Sequence, residues 1–246
     1  MDPSYSKLQK RLSSEYACAL DYRSMLGSLM YLALCTRPDY TIGRLAAYSK
    51  DPGEQHERAL LCVFRYLKGT LSLSLVYTSA STAEALPELV GFCDASHASD
   101  PDDRKSVGGH VFTFGGGAIC WKSKKQPTVA RSSTEAEYLE ASEAAAEALG
   151  LRHLFMELRW PLDAPVEIST DSAGATALAK NPMQGYRTKH IDTHVHFVRH
   201  HVANKLVRFT YIPTGKQPAD YLTKELLAPK VAAANAALGL QPLSLP

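Results

Sequence analysis

No Cys-x-x-Cys pair occurs among the 246 residues, and the five cysteines (Cys18, Cys35, Cys62, Cys93 and Cys120) are widely spaced. An odd number at such spacing argues against a disulfide framework and against a zinc ribbon. The thiols are therefore expected to be reduced, mostly in the core, in an intracellular protein. Long apolar runs are also missing. The longest, Met25 to Cys35, is too short to cross a bilayer, and the opening Met1-Asp2-Pro3-Ser4 has no signal-peptide organisation. Neither secretion nor membrane insertion is expected. An excess of one charge is lacking as well: 27 Lys and Arg stand against 25 Asp and Glu, a net charge of +2. Nothing global draws the chain to nucleic acid, so any such binding must come from local clustering. There are no internal repeats, and the Ala-rich stretch Val231 to Leu238 is the one low-complexity tract.

What is present is a hydrophobic content of 45%, ample for a packed core. From Tyr22 to Leu67, Met25, Leu29, Leu32, Leu60, Val63, Phe64 and Leu67 recur at spacings of three and four, which predicts helices. Pro38 and Pro52-Gly53 break them into three. Gly69 sits where a C-cap belongs, and the alternation Leu71, Leu73, Leu75, Tyr77 predicts a strand. Residues 79–87 are rich in Ser, Thr and Ala without periodicity and read as a linker. The organisation expected is thus a helical part over 1–78, the linker, a second domain over 88–228 and a tail over 229–246.

The second domain opens with a predicted strand, Leu89 to Ala95, then Gly109 to Phe114. Gly115-Gly116-Gly117 is a hairpin signal leading into Ala118 to Lys122. Thr134 with Glu137 three residues on resembles a capping box for a long helix running to about Arg159 and stopped by Pro161. Val166 to Thr170 reads as a strand, Ala173 to Lys180 and His190 to Ala203 as helices, Leu206 to Ile212 as a strand, and a last helix begins near Gln217. The order predicts an α/β fold, a mixed sheet with helices on its faces.

Four acids stand at strand ends or helix starts: Asp94, Glu137, Asp171 and Asp220. Each alone is explained at least as well by capping or by the favourable meeting of an acid with a helix N-terminus. Glu135 is the alternative to Glu137; on a helix the two point about 200° apart, so only one can face the sheet. Clustered carboxylates would repel unless divalent cations neutralise them, and oxygen ligands select Mg2+ or Mn2+. Two such ions about 4 Å apart can activate water and stabilise a leaving oxygen in phosphodiester cleavage. Lys122, Lys124 and Lys125 beside Trp121, with Arg131, form the densest basic cluster, which reads either as a solvated hairpin or as a phosphate grip. His190/His194 and His196/His200 have zinc-like spacing but no Cys or Glu beside them in a known pattern, and a polar helix face is the plainer reading.

Several runs resemble a known family: Tyr22 to Leu32, Thr36-Arg37-Pro38-Asp39, Arg65 to Thr70, Asp103-Arg104-Lys105-Ser106, Trp121 to Gln126, Ser132 to Tyr138, Arg187 to Asp192, and Ala219 to Lys224. They are similar to the C-terminal end of copia-type LTR-retrotransposon Pol polyproteins, over about Tyr22 to Leu227. The resemblance implies the end of a reverse transcriptase and its connection, followed by an RNase H-like domain with a mixed five-stranded sheet flanked by helices. It implies hydrolysis of the RNA strand of RNA–DNA hybrids with two Mg2+ or Mn2+ ions on Asp94, Glu137, Asp171 and Asp220. Glu137 is preferred over Glu135 because relatives place their acid in an Ala-Glu pair followed by an apolar or aromatic residue. Nucleic-acid contacts fall to Lys122, Lys124, Lys125, Arg131 and Ser96. The upstream reverse transcriptase is an implied partner, and cytoplasmic particles, or else the nucleus, are the implied location. The family's polymerase aspartate pair lies upstream of these residues, so no DNA synthesis is expected of this chain by itself. Between His201 and Asp220 there is no histidine of the kind cellular relatives carry. A catalytically silent transposon fragment that serves as a structural or nucleic-acid-binding module is the alternative; an integrase-like strand transferase would need a three-acid site in different surroundings.

Overall fold

A computed structural model describes residues 8–12, 15–40, 42–78, 88–180, 192–226 and 228–243. The expected linker at 79–87, His190 and most of the Arg187 to Asp192 motif lie outside the described residues. The helical part has three helices, α1 (Tyr22–Cys35), α2 (Gly43–Ala47) and α3 (Glu54–Gly69), separated at the two proline sites. Its core is Tyr22, Leu26, Leu29, Leu45, Leu60 and Val63, all buried. The spacing of these residues put them on one face, and association of the three faces holds the helices together. Helix α3 ends at Gly69 and is capped by Thr70, one residue later than a glycine cap would have it.

Two motifs of this part meet in a buried polar knot. Arg37 donates from Nε and Nη2 to the two oxygens of Asp39 at 2.8 and 2.7 Å, and from Nη2 to Thr70 Oγ1 at 2.7 Å. Tyr66 OH donates to Asp39 Oδ2 at 2.6 Å. The bidentate geometry is what allows a carboxylate to be buried without a large penalty.

The second part is built on β2 (Val90–Ser96), β3 (Val107–Phe114), β4 (Gly117–Lys125), β5 (Val166–Thr170) and β6 (Val207–Tyr211), preceded in the chain by a short β1 (Leu73–Leu75). The sheet order is β4-β3-β2-β5-β6, with β3 antiparallel to both its neighbours and β2, β5 and β6 mutually parallel. Parallel neighbours need crossovers. The long helix α4 (Ser133–Glu157) joins the β4 edge to β5, and α5 (Ala173–Lys180) with α6 (Asp192–Ala203) joins β5 to β6. This is the mixed five-stranded sheet flanked by helices that the sequence predicts. Gly115 and Gly116, at φ of +60° and +79°, make the β3–β4 turn that glycine permits. Helix α4 lies on the sheet through Ala141, Ala144, Ala145 and Ala148, whose small side chains let it approach Cys93, Phe112, Ile168 and Phe209.

The region assigned to a tail is folded. Helix α8 (Ala228–Ala237) leads to β7 (Leu240–Pro242), which pairs antiparallel with β1. The β1 strand is shorter than the alternation from Leu71 to Tyr77 suggests because β7 offers it only three partners. This pairing, together with Trp121 Nε1 donating to Ala33 O at 2.7 Å and Tyr48 OH to Asp102 Oδ2 at 2.9 Å, ties the helical part to the sheet. The cysteines are free thiols, but core placement holds for Cys93 alone: Cys18, Cys62 and Cys120 are half-buried and Cys35 is exposed. No helix among the described residues is long and apolar enough to cross a membrane.

Candidate active site

Strand β2 pairs with β5 only from Val90 to Phe92; beyond Phe92 the two strands separate. Asp94 therefore lies on β2 past the last β5 pair, and Asp171 directly follows β5. The carboxyl ends of parallel strands, where neighbours diverge, are the usual place for a site in such sheets. Gln217 fills the split. Its Nε2 donates to Cys93 O at 2.9 Å and lies 3.5 Å from Ser169 O, while its Oε1 accepts from Ala219 N at 3.2 Å. The side chain thus fixes the turn before α7 (Asp220–Thr223) to both acid-bearing strands. Close approach of α7 to β3 needs Gly109, where a Cβ would stand 2.5 Å from Leu222 Cβ.

Helix α4 supplies the glutamate. Its N-cap is Ser132, whose hydroxyl accepts from Glu135 N, and Glu135 Oε2 in turn accepts from Arg131 N at 2.8 Å. The capping pair is thus Ser132 with Glu135, not Thr134 with Glu137, which frees Glu137 to face the sheet. Asp94, Glu137 and Asp171 each bring an oxygen into one cluster whose members lie within 4.8 Å of one another. Asp171 is not the cap of α5: Ser172 Oγ accepts from Ala175 N instead.

Asp220 reaches the cluster through a cation. Lys224, one turn on, places Nζ 3.0 Å from Asp220 Oδ1 and 3.1 Å from Asp94 Oδ1, and Thr223 Oγ1 donates to Asp94 Oδ2. Burial, opposed by the Lys224 charge, raises Asp94 above the usual carboxylate range. Burial first, then the charges of Asp94 and Asp171, push Glu137 up to about 9 against a hydrogen bond from the Ala95 backbone. Glu137 Oε2 is buried without a hydrogen-bond partner. Burial works to lower Lys224, but the charges of Asp94 and Asp220 hold it above its ordinary value. An all-oxygen set with one orphaned buried oxygen fits a hard divalent cation.

The basic residues are less free than their spacing suggests. Lys125 is paired with Asp100 at 2.8 Å and Asp103 at 3.0 Å, and Lys122 with Glu143 at 3.2 Å. Lys124 forms no ion pair among the described residues and lines two grooves. One, of about 500 Å³, also holds Ser96, Thr223 and Lys224; the other, of about 530 Å³, holds Arg131 and Lys122. Of the histidines read for zinc, His194 Nδ1 meets Ser142 Oγ at 3.0 Å, His196 meets Asp192 and His200 meets Asn204. The acidic cluster is the metal-competent grouping among the described residues.

Two partners of the acids, Thr223 and Lys224, went unnoticed in the sequence, as did Gln217, which joins the acid-bearing strands through their backbone. Their signal was present in the run Gln217 to Lys224, where one helical turn separates Asp220 from Lys224. A buried pair, His110 Nδ1 with Glu140 Oε1 at 2.7 Å, also gave no sequence signal.

No protein-family model matches the chain. It is 42% identical over 205 residues to the retrovirus-related Pol polyprotein from transposon TNT 1-94 of Nicotiana tabacum, covering 82% of this chain and 15% of that protein. To the corresponding polyprotein from transposon RE1 of Arabidopsis thaliana it is 39% identical over 208 residues, covering 84% of this chain and 14% of the other. The chain thus spans a small part of the length of these relatives. A crystal structure of the RNase H1 LC11 in complex with an RNA/DNA hybrid is similar over 55% of this chain and 94% of its own, at 17% identity and a TM-score of 0.43.

Proposed function

Because the chain belongs to the Pol polyproteins of copia-type retrotransposons, we propose that residues 88–228 are a ribonuclease H that hydrolyses the RNA strand of RNA–DNA hybrids during reverse transcription, with residues 1–78 derived from the preceding reverse transcriptase. The observation that carries this reading is the convergence of Asp94, Glu137 and Asp171 at the split between β2 and β5, with Asp220 joined to Asp94 through Lys224. Asp94, Glu137 and Asp171 would hold one Mg2+ or Mn2+ ion, and Asp94 with Asp220 a second. When bound, such ions activate water and neutralise the leaving oxygen in phosphodiester hydrolysis.

The protein's own residues supply the rest. Gln217 keeps the two strands and the Asp220 turn in register, so the carboxylates are preorganised rather than gathered by substrate. Glu137 would have to give up its proton to hold a cation, so cation binding should strengthen as pH rises. Ser96, Lys124 and Arg131 line two grooves that share Lys124, one of them also lined by Thr223 and Lys224, and would hold phosphates by charge and hydrogen bonding. The wide minor groove of the hybrid offers the 2′-hydroxyls that distinguish its RNA strand. The upstream reverse transcriptase would help position the hybrid, and cytoplasmic particles are the proposed setting.

The test is incubation of the intact chain with hybrids labelled on either strand, with and without Mg2+ or Mn2+. Metal-dependent cutting of the RNA strand alone is expected, lost in Asp94→Asn. A folded chain that binds the hybrid and leaves both strands whole, with either ion, contradicts catalysis and favours the silent module.

A further inference from the structure

The acid that both proposed cations would share is already engaged. Both oxygens of Asp94 are taken by the end of α7: Oδ1 by the Lys224 ammonium at 3.1 Å, Oδ2 by the Thr223 hydroxyl. The same ammonium is 3.0 Å from Asp220 Oδ1. Asp94 is fully buried and Asp220 nearly so, and two carboxylates in that state need a cation between them. Lys224 meets that need. A divalent ion on the same oxygens would sit at about 2.0 to 2.6 Å and repel the ammonium, so Lys224 and a second ion compete for one place.

Lys224 is built to leave. Its side chain is 36% exposed although its partners are buried, and it follows the last residue of α7. It lines the groove of about 500 Å³ together with Ser96, Lys124 and Lys125. Rotation of its own side chain would carry the ammonium into that groove, beside Ser96 and Lys124, without disturbing the helix. The three-acid cluster shares Asp94 with this pair, but its other two members, Glu137 and Asp171, form no ion pair with a lysine or arginine among the described residues.

We propose that Lys224 is an internal counter-ion that keeps the Asp94–Asp220 pair closed to a second divalent ion until the ammonium moves into the groove toward a backbone phosphate of the hybrid. This rests on the two-ion nuclease reading above. It makes Lys224 a positioning residue and orders the ions: the three-acid cluster fills first, the Asp94–Asp220 place second. The apparent affinity for the second ion is reduced by the small fraction of molecules whose lysine has swung away.

The experiment is a titration of the full chain with Mn2+ alone, without nucleic acid, counting bound ions by electron paramagnetic resonance in the wild type, Lys224→Gln and Lys224→Arg. The wild type should bind one ion well, and the second should bind at least about tenfold more tightly in Lys224→Gln. Lys224→Arg, which keeps the charge, should follow the wild type. Equal stoichiometry and affinity in all three overturns the inference while leaving the three-acid site intact. Absence of any Mn2+ binding by the wild type overturns the metal reading and the inference with it. Lys224→Gln leaves two buried acids facing each other and can unfold, so a second measurement uses the wild type only. Acylation of the Lys224 amine, followed by peptide mass spectrometry, should be slow at one Mn2+ per chain and several-fold faster at saturating Mn2+. Labelling unaffected by saturation contradicts displacement.

Discussion

Two buried aspartates in this chain live under opposite conditions. In the helical part, Asp39 receives two bonds from Arg37 and one from Tyr66, so its charge is matched by a guanidinium held on both of its oxygens. At the sheet end, Asp94 is equally buried but lies in a cluster with two further acids, and Lys224 is the one ammonium among the described residues that touches it. Beside it Glu137 keeps a buried oxygen without a partner. Both places are made of residues that belong to motifs of the same family. Complete pairing marks a motif kept for the fold; a surplus of one charge, held by scaffolding that does not neutralise it, marks one suited to chemistry.

The sharpest way to break this contrast is to neutralise each aspartate. Asp94→Asn should lower RNA-strand cleavage by at least about a thousandfold, since the group acts with its neighbours as a unit. Its denaturation midpoint in urea should stay level or rise. Asp39→Asn should cost about 3 to 5 kcal/mol of stability by the same urea titration, because it strands a buried guanidinium. Cleavage per folded molecule should survive in that variant.

Packing offers a smaller test. Gly109→Ala forces a Cβ against Leu222 and should cost about 1 to 3 kcal/mol. Because α7 carries Asp220, cleavage should fall in parallel, whereas a comparably destabilising change in the helical core, such as Val63→Ala, should leave cleavage by the folded fraction intact.

A pH series sharpens the electrostatic half of the comparison. In the metal-free protein, Glu137 holds its proton more tightly when folded, up to about 9, than when unfolded, near 4.5. Its contribution to stability is complete below the unfolded value and is lost as pH rises toward the folded one. Glu137→Gln does not titrate. With chelator present, its melting temperature should therefore gain on that of the wild type steadily between pH 5 and pH 9, and a constant difference by calorimetry would contradict the assignment.

The smallest effects belong to the basic hairpin. Lys122→Ala and Lys125→Ala remove partly exposed ion pairs and should change stability by less than about 1 kcal/mol. Lys124→Ala should leave stability alone and reduce the salt dependence of hybrid binding by about one unit of slope.

Local physics made much of this legible in sequence. The Gly115-Gly116 turn, the proline breaks and the strands at Val90 and Val166 follow from period and turn chemistry, and helical geometry allows only one of Glu135 and Glu137 to face the sheet, the choice of Glu137 resting on the family resemblance. What stayed hidden was non-local. The β1–β7 pairing joins residues far apart in the chain, and the ion pairs that occupy Lys122 and Lys125 come from a helix and a loop the hairpin meets only in the fold. Composition could not tell Cys93 from the exposed Cys35. Asp220 was recognised as one acid among four, yet that Lys224 stands between it and Asp94 depends on how α7 is seated against Gly109.

The most direct measurement is single-turnover cleavage of the RNA strand of a hybrid by the wild type, Glu137→Gln and Glu135→Gln in Mn2+. The account predicts that Glu137→Gln loses cleavage while Glu135→Gln, which disturbs the cap of α4, keeps it. Loss in Glu135→Gln with retention in Glu137→Gln, or equal cleavage by both, would contradict the site described above.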